Sequence, residues 1–310
     1  MDPSIRIEGL HDEEEPPVGG LALLIDATAR HDGHRPIGEH ALVELQAGPR
    51  EFPHAAFAAR LGDDLAGYAH LSQRETHLGW RFEAFVAPEH RRLGIGRALV
   101  AAVLDHAADD GGGAVHAWAY NPGPAQARLA ARFAMRHVRT IARMLRSLPG
   151  PDPRLPAGFR LRSFRPDDVS TWLAVHNEVF VDHPDGGNWR EPDLAWHLEE
   201  PWFDPELFVI AEDDAGMAGY CWMKPESDTA WLYFLGVRST ARGRGLGQAL
   251  AAEGLARAAA LGAVVVQLYV DADSEPAIRT YRALAFTIDH VDRAYALDVA
   301  PTTRAEPTRG

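Results

Sequence analysis

Three glycines and two arginines crowd into STARGRGLGQAL, Ser239 to Leu250, between a hydrophobic run and an alanine-rich one. A strand that feeds a glycine-rich turn opening a helix aims several backbone N–H groups at one point, and the helix N-terminus adds partial positive charge there. Such a nest suits a pyrophosphate. Glycine lets the backbone approach a ligand with no Cβ in the way, and Arg242 and Arg244 would add charge. Other chemistries fit less well. A Walker loop requires Gly-Lys-Ser/Thr, which is missing, and a dinucleotide fingerprint requires G-x-G-x-x-G early in a βαβ unit. An RNA-binding RGRG patch belongs in a basic, low-complexity context, which is absent. A plain strand-to-helix turn remains as the bland alternative.

The earlier stretch EHRRLGIGRALV, Glu89 to Val100, repeats the pattern. Displacing the sequence by 151 positions brings Val86 onto Val237, Arg91 onto Arg242, Gly94 onto Gly245 and Gly96 onto Gly247. Two copies in register indicate a duplicated domain. Between them lies a segment with Pro149, Pro151, Pro153 and Pro156, which suits an extended linker. The expected domains are 1–150 and 151–310.

The elements that must position these loops read alike in both halves. In the second, LFVIAE, MAGYCWMK and WLYFLGV are β-rich runs, and the alanine- and leucine-rich helix Gly247 to Gly262 follows the loop. AVVVQLYV is a buried-strand run, a short helix begins near Pro276, and IDHVDRAYAL closes the sheet. The fold class is α/β, with a central mixed sheet and flanking helices in each of two tandem domains.

At 46% hydrophobic and 24% charged residues, the 310-residue chain is globular. A net charge of −13 argues against nucleic acid or anionic membrane as a partner. Cys221 stands alone, so no intrachain disulfide forms, and it reads as a packed strand residue. The acidic start lacks a signal-peptide layout, and a cytoplasmic monomer is expected. The histidines show no ligand spacing such as H-E-x-x-H, so no metal is expected.

R-x-x-G-x-G between a strand and a helix resembles the acetyl-CoA loop of the GNAT acetyltransferases. The resemblance implies acetyl-CoA as donor and a loop that holds its pyrophosphate. In the second half this falls on Arg242, Gly243, Arg244, Gly245, Leu246, Gly247 and Gln248, and in the first on Arg91, Arg92, Leu93, Gly94, Ile95, Gly96 and Arg97. The strand before the loop, which splays from its neighbour to receive the pantetheine arm, would supply Leu235, Gly236 and Val237, and Ala84, Phe85 and Val86. DSEPAIRTYRALAF resembles the family's later motif. Tyr281 matches the tyrosine that protonates the leaving thiolate, and Ser274 and Arg279 fall among the CoA contacts. Ser274 replaces the usual Asn, and Ala285 the usual Gly. The first half has no such tyrosine, with Arg132 or Phe133 near that position, so the second half is expected to be catalytic and the first to bind CoA without turnover.

HDGHRPIGEHALVEL, FVDHPDGGNW, EEPWFDPELF, CWMK, QLYVDADS and VDRAYAL resemble the mycothiol synthase family over nearly the whole chain. That implies a small-molecule acceptor, the cysteinyl amine of a glucosaminyl-inositol thiol precursor. Glu39, Lys224 and Tyr269 match substrate-contact positions, and Asp185 stands at another where the family has Glu. Where that family carries a glutamate base, this chain has Trp231. Glu226 or Asp228 would then substitute, and Trp231 would line the acceptor site. His183 is a further candidate base. An amine titrating near ~8 is partly neutral at pH 7, so a missing base costs less than it would with a lysine. The alternatives are a tandem enzyme acting on another small amine and a non-catalytic acyl-CoA sensor.

Overall fold

Parallel strands cannot be joined by a tight turn. A strand, loop, helix, strand sequence must therefore carry its helix across a sheet face, and the chain does this twice. The computed structural model describes residues 5–10, 18–47, 54–73, 79–181, 183 and 186–302, with the backbone alone at 18, 19, 39, 40, 46, 47 and 54. In order, the first elements are β1 (Ile5–Leu10), α1 (Val18–Asp32), α2 (Glu39–Ala47), β2 (His54–Leu61), β3 (Asp64–Gln73), β4 (Trp80–Val86), α3 (Ile95–Asp109), β5 (Gly113–Ala119), α4 (Pro124–Arg132) and β6 (Arg136–Ser147). There follow β7 (Arg160–Ser163), α5 (Val169–Val179), α6 (Glu191–Glu199), β8 (Phe208–Asp213), β9 (Gly216–Glu226), β10 (Thr229–Val237), α7 (Leu246–Ala260), β11 (Val265–Asp271), α8 (Glu275–Ala283) and β12 (Thr287–Val299).

The chain forms two compact units. One runs to Ile141 and takes in the chain from Val291 onward; the other is Ala142–His290. Each unit owns the loop, helix and strands of one half, and its last strand comes from the other half. Arg293–Val299 of β12 pairs antiparallel with β5 in the first unit, and Ala142–Ser147 of β6 neighbours β11 in the second.

The first unit's sheet runs β1-β2-β3-β4-β5-β12 and the second's β7-β8-β9-β10-β11-β6. The β1–β2, β2–β3 and β3–β4 pairs are antiparallel, as are β7–β8, β8–β9 and β9–β10. The parallel pairs β4–β5 and β10–β11 are those spanned by α3 and α7. The expected mixed sheets with flanking helices are thus present in both units.

Matched glycines seat the crossover helices. A Cβ at Gly67 would stand 2.9 Å from the Phe85 carbonyl oxygen and 3.1 Å from Leu99 Cδ1 of α3. At Gly219 the same atom would stand 2.6 Å from the Gly236 oxygen and 3.2 Å from Leu250 Cδ1 of α7. Gly254, inside α7, would place a Cβ 2.9 Å from both Cys221 Sγ and Met223 Sδ. The opposite sheet faces differ in chemistry. The first unit packs Leu21, Leu24, Ile37 and Ala41 onto Tyr68 and Phe85. The second buries Trp172, Trp222, Tyr220 and Phe208 together with Leu194, and large buried side chains of this kind contribute about 1.5–3 kcal/mol each.

Candidate active site

Both glycine loops are fastened the same way. Nε of Arg242 donates to the Val237 carbonyl at 3.1 Å, and Nε of Arg91 to the Val86 carbonyl at 3.2 Å. Gly245 and Gly94 cap α7 and α3 in the left-handed region, at φ 82° and 92°, with no side-chain cap. The first in-helix bonds run from Ala249 N to Gly245 O and from Ala98 N to Gly94 O. The amides of Leu246, Gly247 and Gln248, and of Ile95, Gly96 and Arg97, therefore have no intrahelical acceptor. Gly247 and Gly96 do not lie in the left-handed region. A Cβ there would meet nothing nearer than Val237 Cγ2 at 3.6 Å, or Leu129 Cδ2 at 3.6 Å. The fold itself has no need of glycine at either position, whereas a ligand lying on the amides does. This fits a CoA pyrophosphate.

The arginine surroundings differ. Arg91 also pairs through both terminal nitrogens with Asp32 at 2.8 and 2.6 Å, which holds the Asp32 carboxyl below its usual range. Arg244 lies 4.2 Å over the Phe159 ring and donates to the Ala157 carbonyl at 3.3 Å, so it braces the preceding segment. Arg92 takes a positive φ of 70° where the second loop has Gly243 at 74°. Arg92, Leu93, Arg97, Gly243 and Gln248 are exposed, whereas Ile95 and Leu246 anchor their helices in the cores.

The strands feeding the loops splay. β10 pairs with β11 only at Thr229, Ala230 and Trp231, opposite Val265, Val266 and Gln267, and then runs on to Val237. β4 stays paired with β5 from Trp80 to Glu83, so only Ala84, Phe85 and Val86 diverge. The β9–β10 register breaks between Leu232 and Phe234, leaving Tyr233 as an extra residue, while β3–β4 runs unbroken. A bulge of this kind bends its strand and re-aims backbone groups. Leu235, Gly236 and Val237 follow it, and Gly236 is held bare by the Tyr220 ring, 2.6 Å from where a Cβ would stand.

Tyr281 is buried on α8 against Phe286, with ring centroids 5.8 Å apart. Burial pushes its phenol upward, so the proton stays on at neutral pH. Ser274 precedes α8 and accepts Ile278 N at its carbonyl; Arg279 pairs with Glu275 at 3.1 Å on the exposed face. Ala285 closes the helix at φ 61°, and Phe286 N returns to Tyr281 O. In α4, Ala134 takes φ 54° and Met135 N returns to Ala130 O. The match for Tyr281 is thus Ala130, in place of the Arg132 or Phe133 expected from the sequence, because the closing bond fixes the helical phase.

Three of the candidate acceptor residues, Lys224, Trp231 and Tyr269, share one face of the second sheet. Trp231 sits opposite Lys224 on β9 and Gln267 on β11. Its ring stacks on Tyr269, at 5.4 Å and 23°, and the Arg143 guanidinium lies 5.9 Å from its centroid. Arg143 also donates to Gln267 Oε1 and, at 3.3 Å, to Asp289. The Trp231 indole N–H donates to Glu226 Oε2 at 2.7 Å. Lys224 Nζ stands 5.0 Å from the Trp202 ring and 5.6 Å from Tyr233. Asp228 is exposed in the β9–β10 turn, where its backbone carbonyl accepts Val264 N. Asp185 lies outside the described residues. Glu39 opens α2, and its side chain is outside them too. His183 pairs with Asp271 at 3.1 Å. Arg143 and the bulge at Tyr233 have no local sequence signal; Arg143 meets Gln267 only through the fold.

Cys221 is fully buried, and burial pushes its thiol up to about 12. Among the described residues no group of three or more His, Cys, Asp and Glu could hold a metal, and no helix is long and apolar enough to cross a membrane.

The sequence profile of the Acetyltransferase (GNAT) family matches residues 22–135 and again 170–286. A mycothiol acetyltransferase of Thermobispora bispora is 41% identical over 284 residues, spanning 88% of this chain and 93% of its own. One from Kineococcus radiotolerans is 40% identical, spanning 88% and 90%. A GCN5-related N-acetyltransferase from Sphaerobacter thermophilus superposes with a TM-score of 0.77 at 25% identity, covering 97% of this chain and 98% of its own. A tandem GNAT protein from the clavulanic acid biosynthesis pathway superposes with a TM-score of 0.75 at 19% identity, covering 96% and 100%. With the domain matched twice, two glycine loops on splayed strands and relatives of this closeness, the chain belongs to the GNAT family as a tandem acetyl-CoA-dependent N-acetyltransferase.

Proposed function

We propose that the second half, 151–310, acetylates the cysteinyl amine of a glucosaminyl-inositol thiol precursor, and that the first half, 1–150, holds CoA without turnover. The observation that carries the division is the coincidence, in one unit, of glycine loop, deep splay, bulge and Tyr281, set against Ala130 and an unbroken ladder in the other. The relatives, named mycothiol acetyltransferases and aligned over nearly their full length, support the acceptor.

The chemistry is direct transfer. Acetyl-CoA supplies the thioester, with its pyrophosphate on the amides of 245–248 and beside Arg242. The neutral amine adds to the carbonyl carbon, the N–C bond forms and the C–S bond breaks. Backbone N–H groups around Leu235, Gly236 and Val237 stabilise the developing oxyanion. Tyr281 gives its proton to the departing sulfur and regains one from solvent, while the amine nitrogen releases one. Among the described residues no partner holds the Tyr281 hydroxyl, which fits a group that meets a ligand. The buried, protonated Cys221 is a poor nucleophile, which supports transfer without an acyl-enzyme. Retention of Tyr281 in one unit speaks against a sensor that has lost catalysis in both.

Acetyl transfer to the cysteinyl-glucosaminyl-inositol, measured beside a panel of simple primary amines, tests the acceptor. The expected result is a kcat/KM at least 100-fold above any simple amine. Equal or faster transfer to another amine overturns the assignment and favours the second reading, which Trp231 in place of a carboxylate supports.

A further inference from the structure

The geometry points to Glu226 as the group that takes the acceptor's ammonium proton, held at the mouth of the splayed strands by the indole of Trp231. This rests on the transfer chemistry above and adds the base it lacks. A primary amine reaches neutral solution mostly as ammonium, and only the neutral form attacks. A carboxylate near the point where β10 leaves β11 would remove that proton where the amine is needed.

Trp231 is the last residue of the parallel pairing, so its side chain stands where the strands part. The groups around it narrow the choice. Lys224, opposite on β9, and Arg143, from β6, are cations. Both ring nitrogens of His197 are engaged, Nδ1 with the Asp193 carbonyl at 2.8 Å and Nε2 with Tyr233 Oη at 3.0 Å, and burial pushes the imidazole down. His183 is paired with Asp271, and Asp289 with Arg143 and His290. Asp228 lies in the turn beyond Glu226, and Tyr269 offers a phenol. Among the described residues, Glu226 is the one with a carboxylate oxygen fixed to Trp231, at 2.7 Å.

The donor matters as much as the distance. A neutral N–H fixes one oxygen without cancelling the charge, as an arginine partner would. The other oxygen and the full negative charge remain for an ammonium. The indole is itself held, with Tyr269 stacked on it and Arg143 over the ring. Trp231 is thereby a positioning residue and Glu226 the catalytic one. The exposed hairpin end that carries Glu226 gives the released proton a route to solvent.

The test uses the full chain with saturating acetyl-CoA. Glu226→Gln is expected to lower kcat for an amine acceptor about 100-fold at pH 7, a typical contribution of a general base. The deficit should shrink as pH rises past the amine's own pKa, with the KM for acetyl-CoA unchanged. Trp231→Phe keeps the ring and removes the N–H. It should lower kcat about 10-fold in the native background and have no further effect in Glu226→Gln. Trp231→Glu introduced into Glu226→Gln returns a carboxylate to the same place and should recover part of the rate. Undiminished kcat in Glu226→Gln at pH 7 overturns the proposal, as does an equal Trp231→Phe effect in both backgrounds. If the cysteinyl acceptor itself is wrong, it fails with the native protein, and the same series is read on whichever panel amine is acetylated.

Discussion

Arg91 and Arg242 tie two similar loops to the ends of two similar strands, yet only Arg91 is clamped by a carboxylate, Asp32. The difference recurs along each strand. In the first unit the splay opens after Glu83, whose buried carboxylate accepts bonds from Gly38 N at 2.7 Å, Tyr120 Oη at 2.7 Å and Arg81 at 3.0 Å. Glu83 and the groups bonded to it fill the mouth: a Cβ at Gly38 would stand 2.3 Å from Tyr120 Oη. In the second unit the splay opens two strand positions earlier, once Tyr233 is set aside as the bulge, and its mouth is lined by Trp231, Tyr269, Glu226 and Lys224. A duplicated scaffold therefore keeps its donor cradle while the acceptor side is closed by a polar network around Glu83 in one copy and left lined with aromatic and charged groups in the other. The cradle depends on backbone and glycine, which both copies share, and the acceptor side on individual side chains, which they do not.

The comparison can be broken at three levels. The shared scaffold should fail alike in both units. Gly67→Val and Gly219→Val each drive a side chain into a carbonyl oxygen and a helix leucine, and each should destabilise by about 3 kcal/mol or more. Denaturant unfolding of the two variants checks this, and a tolerated Gly219→Val would mean that the units are not packed alike. The cradle comes next. Gly247→Val meets only ordinary contacts within the protein, so stability should change by less than about 1 kcal/mol. The KM for acetyl-CoA should rise at least tenfold, read by steady-state kinetics beside a melting curve.

The smallest effect separates the arginines. Arg91→Ala removes a half-buried, two-pronged ion pair and should cost about 1.5–3 kcal/mol, against about 0.5 kcal/mol for Arg242→Ala. The Asp32 carboxyl has its folded pKa lowered, first by the Arg91 hydrogen bonds. Its contribution is therefore present above the unfolded carboxyl value of ~3.9 and is lost as pH falls through the lower folded value. The gap between native and Arg91→Ala stabilities should be full at pH 6 and close in strong acid.

Much of the cradle is legible in the sequence because its determinants are local. Gly245 must adopt a left-handed cap, Gly247 must leave space, and Arg242 reaches only five residues back to Val237. The strands from Leu207 onward are legible for the same reason, being apolar runs bounded by turns. Side chains that meet through the fold are not. Arg143 reaches Gln267 and Trp231 from β6, and the final strands are exchanged between halves. The bulge at Tyr233 escapes a fixed displacement of 151 positions, because the extra residue shifts the register upstream of it. Trp231 is legible as a departure, but its bond to Glu226 depends on how the β9–β10 turn folds back.

The central claim, that one copy of the repeat carries the chemistry, is tested most directly by thiol release from acetyl-CoA in Tyr281→Phe. Removing the only hydroxyl that distinguishes α8 from α4 at this position should lower kcat by at least 100-fold, with acetyl-CoA affinity retained. The native profile should show no alkaline loss below about pH 10, because burial holds the phenol's proton on. Turnover equal to the native enzyme would contradict the account.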